Sequence, residues 1–283
     1  MNNYLELKEY IDNSVTKAFN NRLKVRLSEE LSKKYDNGDY DEYLTHVSKC
    51  IEIIDSLDII YPALAKPTFY IYIVPLEKSN LLNIPKNFDN NKGSAKPVSS
   101  FDIDGYNSAY GVTENIALRK EFNIYHESST IHELIHLVAS MFFNKDRYIN
   151  EGIAEAVPLY ILGYENKWIE HKNMISNIKK EDILTVKELI EQNKSNTYGD
   201  KGIDGTSICS YRYSYISSYL ICAYILDKIR SVQTLFELLR SSKSWNEYLA
   251  YEIANTLDLD FKEFIEGKKY QLEYLNKLKS TNY

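Results

Sequence analysis

The spacing of apolar residues predicts helices at both ends of the chain and strands between them. Apolar side chains recur every three or four residues over 4–19 and 40–60, which is typical of helices that bury one face. Residues 68–75 are mostly β-branched or aromatic, and they predict a strand. Two shorter strands are expected near 107–110 and 112–119.

The C-terminal half keeps the helical period to its end. Residues 76–106, which are rich in Asn, Ser and Lys, predict a long surface loop before it. Helices are expected over 128–143, 150–161, 183–191, 214–229, 232–240, 245–256 and 260–278. The pattern therefore predicts an α+β fold with a small, mostly antiparallel sheet. Its segments would be an N-terminal helical segment over 1–62, a core over 63–165 and a helical C-terminal lobe over 166–283.

Composition and charge narrow the classes of function. The 283 residues carry 34 Lys and Arg against 40 Asp and Glu, a net charge of −6, which argues against a nucleic-acid-binding protein. No apolar run approaches the ~20 residues that a membrane span requires. The first residues show no signal peptide, so the cytoplasm is the expected location, or secretion if a leader has been trimmed. Three distant cysteines do not form a disulfide framework.

His132, Glu133 and His136 form the sequence HELIH on the helix predicted over 128–143. Residues i and i+4 lie one above the other on a helix, so the two imidazoles can reach one metal ion. Glu133 lies about 100° round the helix from His132, and it can act on a water molecule at that metal without being a ligand. Zinc proteases use this pattern. Its apolar surroundings are also typical of a buried structural helix, so the third ligand is decisive.

The next predicted helix supplies carboxylates for that third position. Zinc bound by two histidines needs a further protein ligand and an open position for catalysis. Glu151 follows a loop long enough to reverse the chain, and Glu155 lies one turn later. A carboxylate at Glu155 can accept the second ring N–H of a ligating histidine. Zn²⁺ is therefore the expected cofactor, with His132, His136 and Glu151 as ligands.

HELIH followed by INEGIAEA resembles the gluzincin zinc peptidases, in which HExxH precedes a helix that contains NEG. The resemblance implies a zincin-like core, zinc and peptidase activity. It also implies Glu133 as the base, Glu151 as the third ligand and Glu155 as an acid beside a ligating histidine. The spacer is shorter than in aminopeptidases and thermolysin-like members, which leaves Glu155 open as the ligand instead. Ala139 and Phe142 stand where metzincins have Gly and His, which excludes that class.

Two shorter stretches extend the resemblance over roughly residues 68–240. YISSYLICAYIL begins at Tyr215 and resembles the gluzincin helix whose catalytic Tyr stabilises the oxyanion. Tyr211 and Tyr213 are nearby alternatives, and in a chain with 25 tyrosines packing is the ordinary role for such a residue. GVTEN resembles the GxMEN stretch of gluzincin aminopeptidases, which implies that Glu114 binds the substrate amine. The alternative for this segment is an edge strand beside the cleft.

The sequence thus predicts a zinc metallopeptidase that cleaves peptide or protein substrates, with endopeptidase activity as the preferred interpretation. One alternative is an aminopeptidase that uses Glu114. Another is a catalytically silent binding or regulatory module on the same fold, but a binding scaffold has no need of the base Glu133. Of the other histidines, His46 and His171 are expected at the surface, and His126 is expected to line the cleft.

Overall fold

The structure, a computed structural model, describes residues 6, 9–10, 12–63, 65–78, 98–100, 109–142, 147–163, 178–194, 206–240 and 245–280. Its fold class is α+β, as the sequence predicts. The chain forms two compact units, Met1–Met141 and Phe142–Tyr283. The described strands all belong to the first unit, and the regular elements described in the second are helices.

A β-hairpin near the N-terminus shows that the helix predicted over 4–19 is wrong in its second half. Strand β1 is Val15–Ala18 and β2 is Leu23–Leu27, and the two pair antiparallel. The side chain of Asn20 closes the turn by accepting hydrogen bonds from two backbone N–H groups, both at 2.8 Å. Alternate residues of β2 are fully buried. That period of two is the property of a strand with one buried face.

The sheet has five strands in the order β1-β2-β3-β5-β4. β3 is Phe69–Val74, where the sequence predicts a strand, β4 is Val98–Ser100 and β5 is Ala109–Thr113. β3 pairs parallel with both β2 and β5, whereas the outer strands β1 and β4 pair antiparallel with their neighbours. The sheet is therefore mixed, and the prediction of a mostly antiparallel sheet is wrong. Crossover connections into β3 and β5 produce the parallel pairs.

The edge strand predicted over 112–119 is also wrong. β5 lies between β3 and β4 and ends at Thr113, and Glu114 then begins helix α3 (Glu114–Ala117). An acidic residue in a first turn is stabilised by the partial positive charge of a helix N-terminus. The outer strand on this side is β4, in a segment predicted as loop. Most of that loop prediction, over 79–97 and 101–106, lies outside the described residues.

Helices connect and cover the strands of the first unit. Helices α1 (Glu29–Asp36) and α2 (Asp41–Asp55) lie between β2 and β3 in the chain, and α4 (Ile124–Ser140) follows α3. Ser28 begins α1 by accepting from the backbone N–H of Leu31 at 3.3 Å. Helix α4 packs against α2 and against β4 and β5.

The second unit consists of helices that largely follow the predicted periods. One prediction differs, because the helix expected over 260–278 is interrupted at residues 267–268. No helix in the described ranges combines the length and apolar character needed to cross a membrane. The elements are α5 (Arg147–Leu162), a short 3₁₀ helix (Lys180–Asp182), α6 (Val186–Lys194), α7 (Thr206–Ile229), α8 (Val232–Arg240), α9 (Glu247–Thr256), α10 (Phe261–Glu266) and α11 (Lys269–Ser280).

Helix α7 organises the second unit by contacting α5, α6, α8 and α11. Its small polar residues allow this close packing, because a buried serine needs little space and finds a hydrogen-bond partner on a neighbouring segment. Three such serines are fully buried. Their partners are Gln192 for Ser214, the backbone of Leu184 for Ser217, and Trp245 for Ser218.

Gly152 lies at a point of close approach between α5 and α7. A Cβ at this position would lie 2.6 Å from Ser218 Oγ and 2.9 Å from Cys222 Sγ. The backbone oxygen of Ser218 would also lie 2.8 Å away, and this contact can be relieved only by movement of one helix. Gly152 therefore sets the separation of the two helices, and with it the position of the carboxylates that α5 carries.

We expect Gly152→Ala to lower the free energy of unfolding by about 1–3 kcal/mol, because it overpacks this contact. In an open helix the same change would raise it by roughly 0.5–1 kcal/mol. Urea denaturation followed by circular dichroism measures the sign. A stabilised Gly152→Ala variant would show that the helices do not approach as closely as described.

Candidate metal centre

Helix α4 holds two histidines one turn apart in buried surroundings. His132 and His136 are 5% and 7% exposed, and their Nε2 atoms lie 3.0 Å apart. The flanking apolar residues of α4 fix the helix in the core: Ile131, Leu134, Ile135 and Val138 are each 0% exposed. At 3.0 Å two imidazole nitrogens either share one proton or direct both lone pairs at one cation.

The separation of these nitrogens suits a zinc ion. Zn–N distances of 2.0–2.1 Å and tetrahedral angles place two ligand nitrogens about 3.3 Å apart. His132, His136 and Glu151 form a candidate metal-binding group, in which one ligand atom from each residue lies within 4.8 Å of the others. These three residues are the ones that the sequence predicts as ligands.

Glu133 is half-buried on α4 and lies within electrostatic reach of two buried tyrosines. Tyr43 and Tyr110 share a hydrogen bond between their hydroxyls at 3.3 Å. Burial raises the pKa of both phenols, and the negative charge of Glu133 adds to the increase. These phenols therefore stay protonated beside Glu133. The sequence analysis missed them, since Tyr43 lies on α2 and Tyr110 on β5.

His46 of α2 is buried against α4, so the prediction that it lies at the surface is wrong. His46 is 8% exposed, and its Nε2 lies 3.1 Å from Thr130 Oγ1 on α4. Its ring stacks on Phe122 with centroids 4.2 Å apart. Burial lowers the pKa of His46 to about 4, so the ring is neutral at pH 7. A neutral imidazole here anchors the turn that precedes His132.

His126 lies at the start of the same helix. The ring Nδ1 of His126 accepts from the backbone N–H of Asn123 at 3.1 Å, and the backbone N–H of His126 donates to Asn123 Oδ1 at 3.2 Å. This reciprocal pair closes the first turn of α4. Burial lowers the pKa of His126 to about 4. The observed contacts give it a capping role. His171 lies outside the described residues.

Helix α5 presents Glu151 and Glu155 one turn apart. Glu151 is half-buried, whereas Glu155 is only 2% exposed. The Tyr215 hydroxyl of α7 donates a hydrogen bond to Glu155 Oε1. Tyr215 is thus close to one of the predicted acids. The side chains of the alternatives Tyr211 and Tyr213 lie outside the described residues.

Glu114 is held by groups of its own unit. Its Oε1 accepts hydrogen bonds from the Lys34 ammonium of α1 and, at 3.4 Å, from the Tyr40 hydroxyl. The carboxylate side chain is 15% exposed. The hydrogen bond to Glu114 raises the pKa of Lys34. The ammonium of Lys34 is therefore paired with the carboxylate that the GVTEN resemblance assigns to a substrate amine.

Comparisons with models of known protein families, with curated proteins and with solved structures find no match for this chain. Two imidazole nitrogens and one carboxylate oxygen form a donor set that suits zinc.

We expect the purified chain to retain about one equivalent of zinc after dialysis, because the described residues contain one three-ligand group. His132→Ala and His136→Ala should each remove most of it, and Glu151→Ala should weaken binding more than Glu155→Ala. Metal analysis by mass spectrometry measures the content, with His126→Ala as a histidine control outside the group. Full zinc in both His132→Ala and His136→Ala would refute the site, and a larger loss for Glu155→Ala would make Glu155 the ligand.

Proposed function

We propose that this chain is a zinc-dependent peptidase that hydrolyses internal peptide bonds. The observation that carries the proposal is the convergence of His132, His136 and Glu151 within 4.8 Å, with Glu133 next to the first ligand on the same helix. A structural zinc site is usually closed by four protein ligands, whereas three ligands leave a position for chemistry. A half-buried carboxylate beside that position can serve as a base.

Each residue of the group has a distinct task in this proposal. His132, His136 and Glu151 would hold zinc, which when bound polarises a carbonyl and lowers the pKa of water. Glu133 would accept the proton of the attacking water and deliver it to the leaving amine. Because Glu133 is adjacent to His132 in the chain, its carboxylate leaves the helix on a different side from the ligating rings. It can therefore take a proton without binding the metal.

The contact between Lys34 and Glu114 favours endopeptidase over aminopeptidase activity. An aminopeptidase needs a carboxylate that pairs with the substrate ammonium, and such a charge-assisted hydrogen bond is worth ~1.5–3 kcal/mol. In this chain Glu114 already accepts from the Lys34 ammonium and the Tyr40 hydroxyl. A substrate amine would have to displace Lys34, so a free N-terminus would add little to the free energy of substrate binding.

The first functional prediction concerns Glu133. We expect Glu133→Gln to keep zinc but to lower kcat/KM for peptide hydrolysis at least ~100-fold, because an amide cannot accept the proton. Zinc content and cleavage of a fluorogenic peptide library are measured on the same preparation. Glu127→Gln, on the same helix, is the matched control. Wild-type rates for Glu133→Gln would refute the role of the base.

The second functional prediction concerns the N-terminus of the substrate. We expect free and N-acetylated forms of a peptide to be cleaved at the same internal bonds with similar kcat/KM, since the carboxylate of Glu114 is engaged by Lys34. Dependence on a free amine would instead appear as a roughly 10–150-fold loss on acetylation. Mass spectrometry identifies the products. Stepwise removal of N-terminal residues, blocked by acetylation and by Glu114→Ala, would make the chain an aminopeptidase.

A further inference from the structure

The Tyr215 hydroxyl donates a hydrogen bond to Glu155, and this contact differs from the role that the sequence position of Tyr215 suggests. We propose that Tyr215 is a positioning residue that holds Glu155, and through it the ligand-bearing face of α5, so that it sets zinc affinity. The inference rests on the proposed function for the identity of the metal site. It replaces the predicted role of Tyr215 at the scissile carbonyl oxygen.

The Tyr215 hydroxyl can donate only one hydrogen bond. A phenol has one proton to donate. In this structure the proton of Tyr215 is directed at Glu155 Oε1. The same proton cannot stabilise an oxyanion at the same time. Hydrogen bonds to a carboxylate are charge-assisted and strong, which favours the contact of Tyr215 with Glu155.

Glu155 is buried among small and apolar residues of α5. The residue is 2% exposed, and its neighbours along α5 include Ala154, Ala156 and Val157 with at most 1% exposure. Removing an ionised carboxylate from water carries a large free-energy penalty unless hydrogen bonds compensate for it. The Tyr215 hydroxyl supplies such a bond from within the second unit. It therefore fixes the position of the buried carboxylate one turn from Glu151.

Two contacts define how α5 is aligned against α7. Gly152 of α5 lies against Ser218 of α7. Three residues later on α5, Glu155 contacts Tyr215, which precedes Ser218 by three residues on α7. The helices thus run antiparallel through two contacts about one turn apart. The close approach at Gly152 fixes their separation, and the hydrogen bond at Tyr215 fixes the rotation of α5. Glu151 precedes Glu155 by four residues, on the same face.

The test compares the effect of Tyr215→Phe on zinc affinity with its effect on catalysis. We expect zinc affinity, measured by competition with a chromogenic chelator, to fall ~10–100-fold, as is typical for loss of a group that orients a metal site. The absorption spectrum of the cobalt-substituted chain should change with it. Tyr224→Phe removes another buried hydroxyl from α7 and should leave both unchanged. Circular dichroism verifies that both variants fold.

A double-mutant cycle decides whether Tyr215 acts through Glu155. In the Glu155→Ala background, Tyr215→Phe should cause no further loss of zinc affinity. Unchanged zinc affinity in Tyr215→Phe, or an equal loss in both backgrounds, would overturn the inference, as would a lower kcat at full zinc occupancy. A wild-type chain that binds zinc but cleaves no peptide would refute the proposed function while the affinity cycle still decides this inference. A wild-type chain that binds no zinc would refute both.

Discussion

Helix α4 must be buried and polar at the same time, and this constraint shapes the first unit. Five of its apolar residues have no exposed surface, while His132 and His136 lie among them with at most 7% exposure. Buried imidazoles need partners for their ring nitrogens, since an unsatisfied polar group in the core is costly. The helix meets this demand by directing two nitrogens at each other. The same arrangement is the one that the proposed metal site requires, so the packing of α4 and the proposed site depend on one geometry.

Support for α4 comes from residues far away in the chain. His46 meets Thr130 across 84 positions, and its ring stacks on Phe122. A neutral imidazole is suited to this place because it bonds to a hydroxyl without bringing a charge near the ligands. Position and ring orientation in a metal site depend on such outer contacts. The helix period alone would leave α4 free to rotate about its axis.

Local spacing in the sequence predicted the helices better than it predicted the topology of the sheet. HELIH and INEGIAEA carry their geometry locally, because helical spacing of four residues places side chains on one face. β3 and most helices were predictable for the same reason. The β1–β2 hairpin was not, since a few apolar residues between 10 and 19 fit periods of two and of 3.6 equally well. The parallel pairing of β3, the contact of Lys34 with Glu114 and the bond of Tyr215 to Glu155 all join residues that are distant in the chain.

The distant contacts also separate four glutamates that look alike in the sequence. Glu114 accepts from Lys34 and Tyr40, and Glu155 accepts from Tyr215, so donors of their own units already engage both carboxylates. Glu151 belongs to the group that can hold a metal. Glu133 is the remaining acid of the two motifs, and its charge acts on the protonated phenols of Tyr43 and Tyr110. In the proposed function Glu133 is the base, and the other three carboxylates are partners of an ammonium, a phenol and a metal. The division of labour among the glutamates therefore arises from tertiary contacts, and the motifs supply only the candidates.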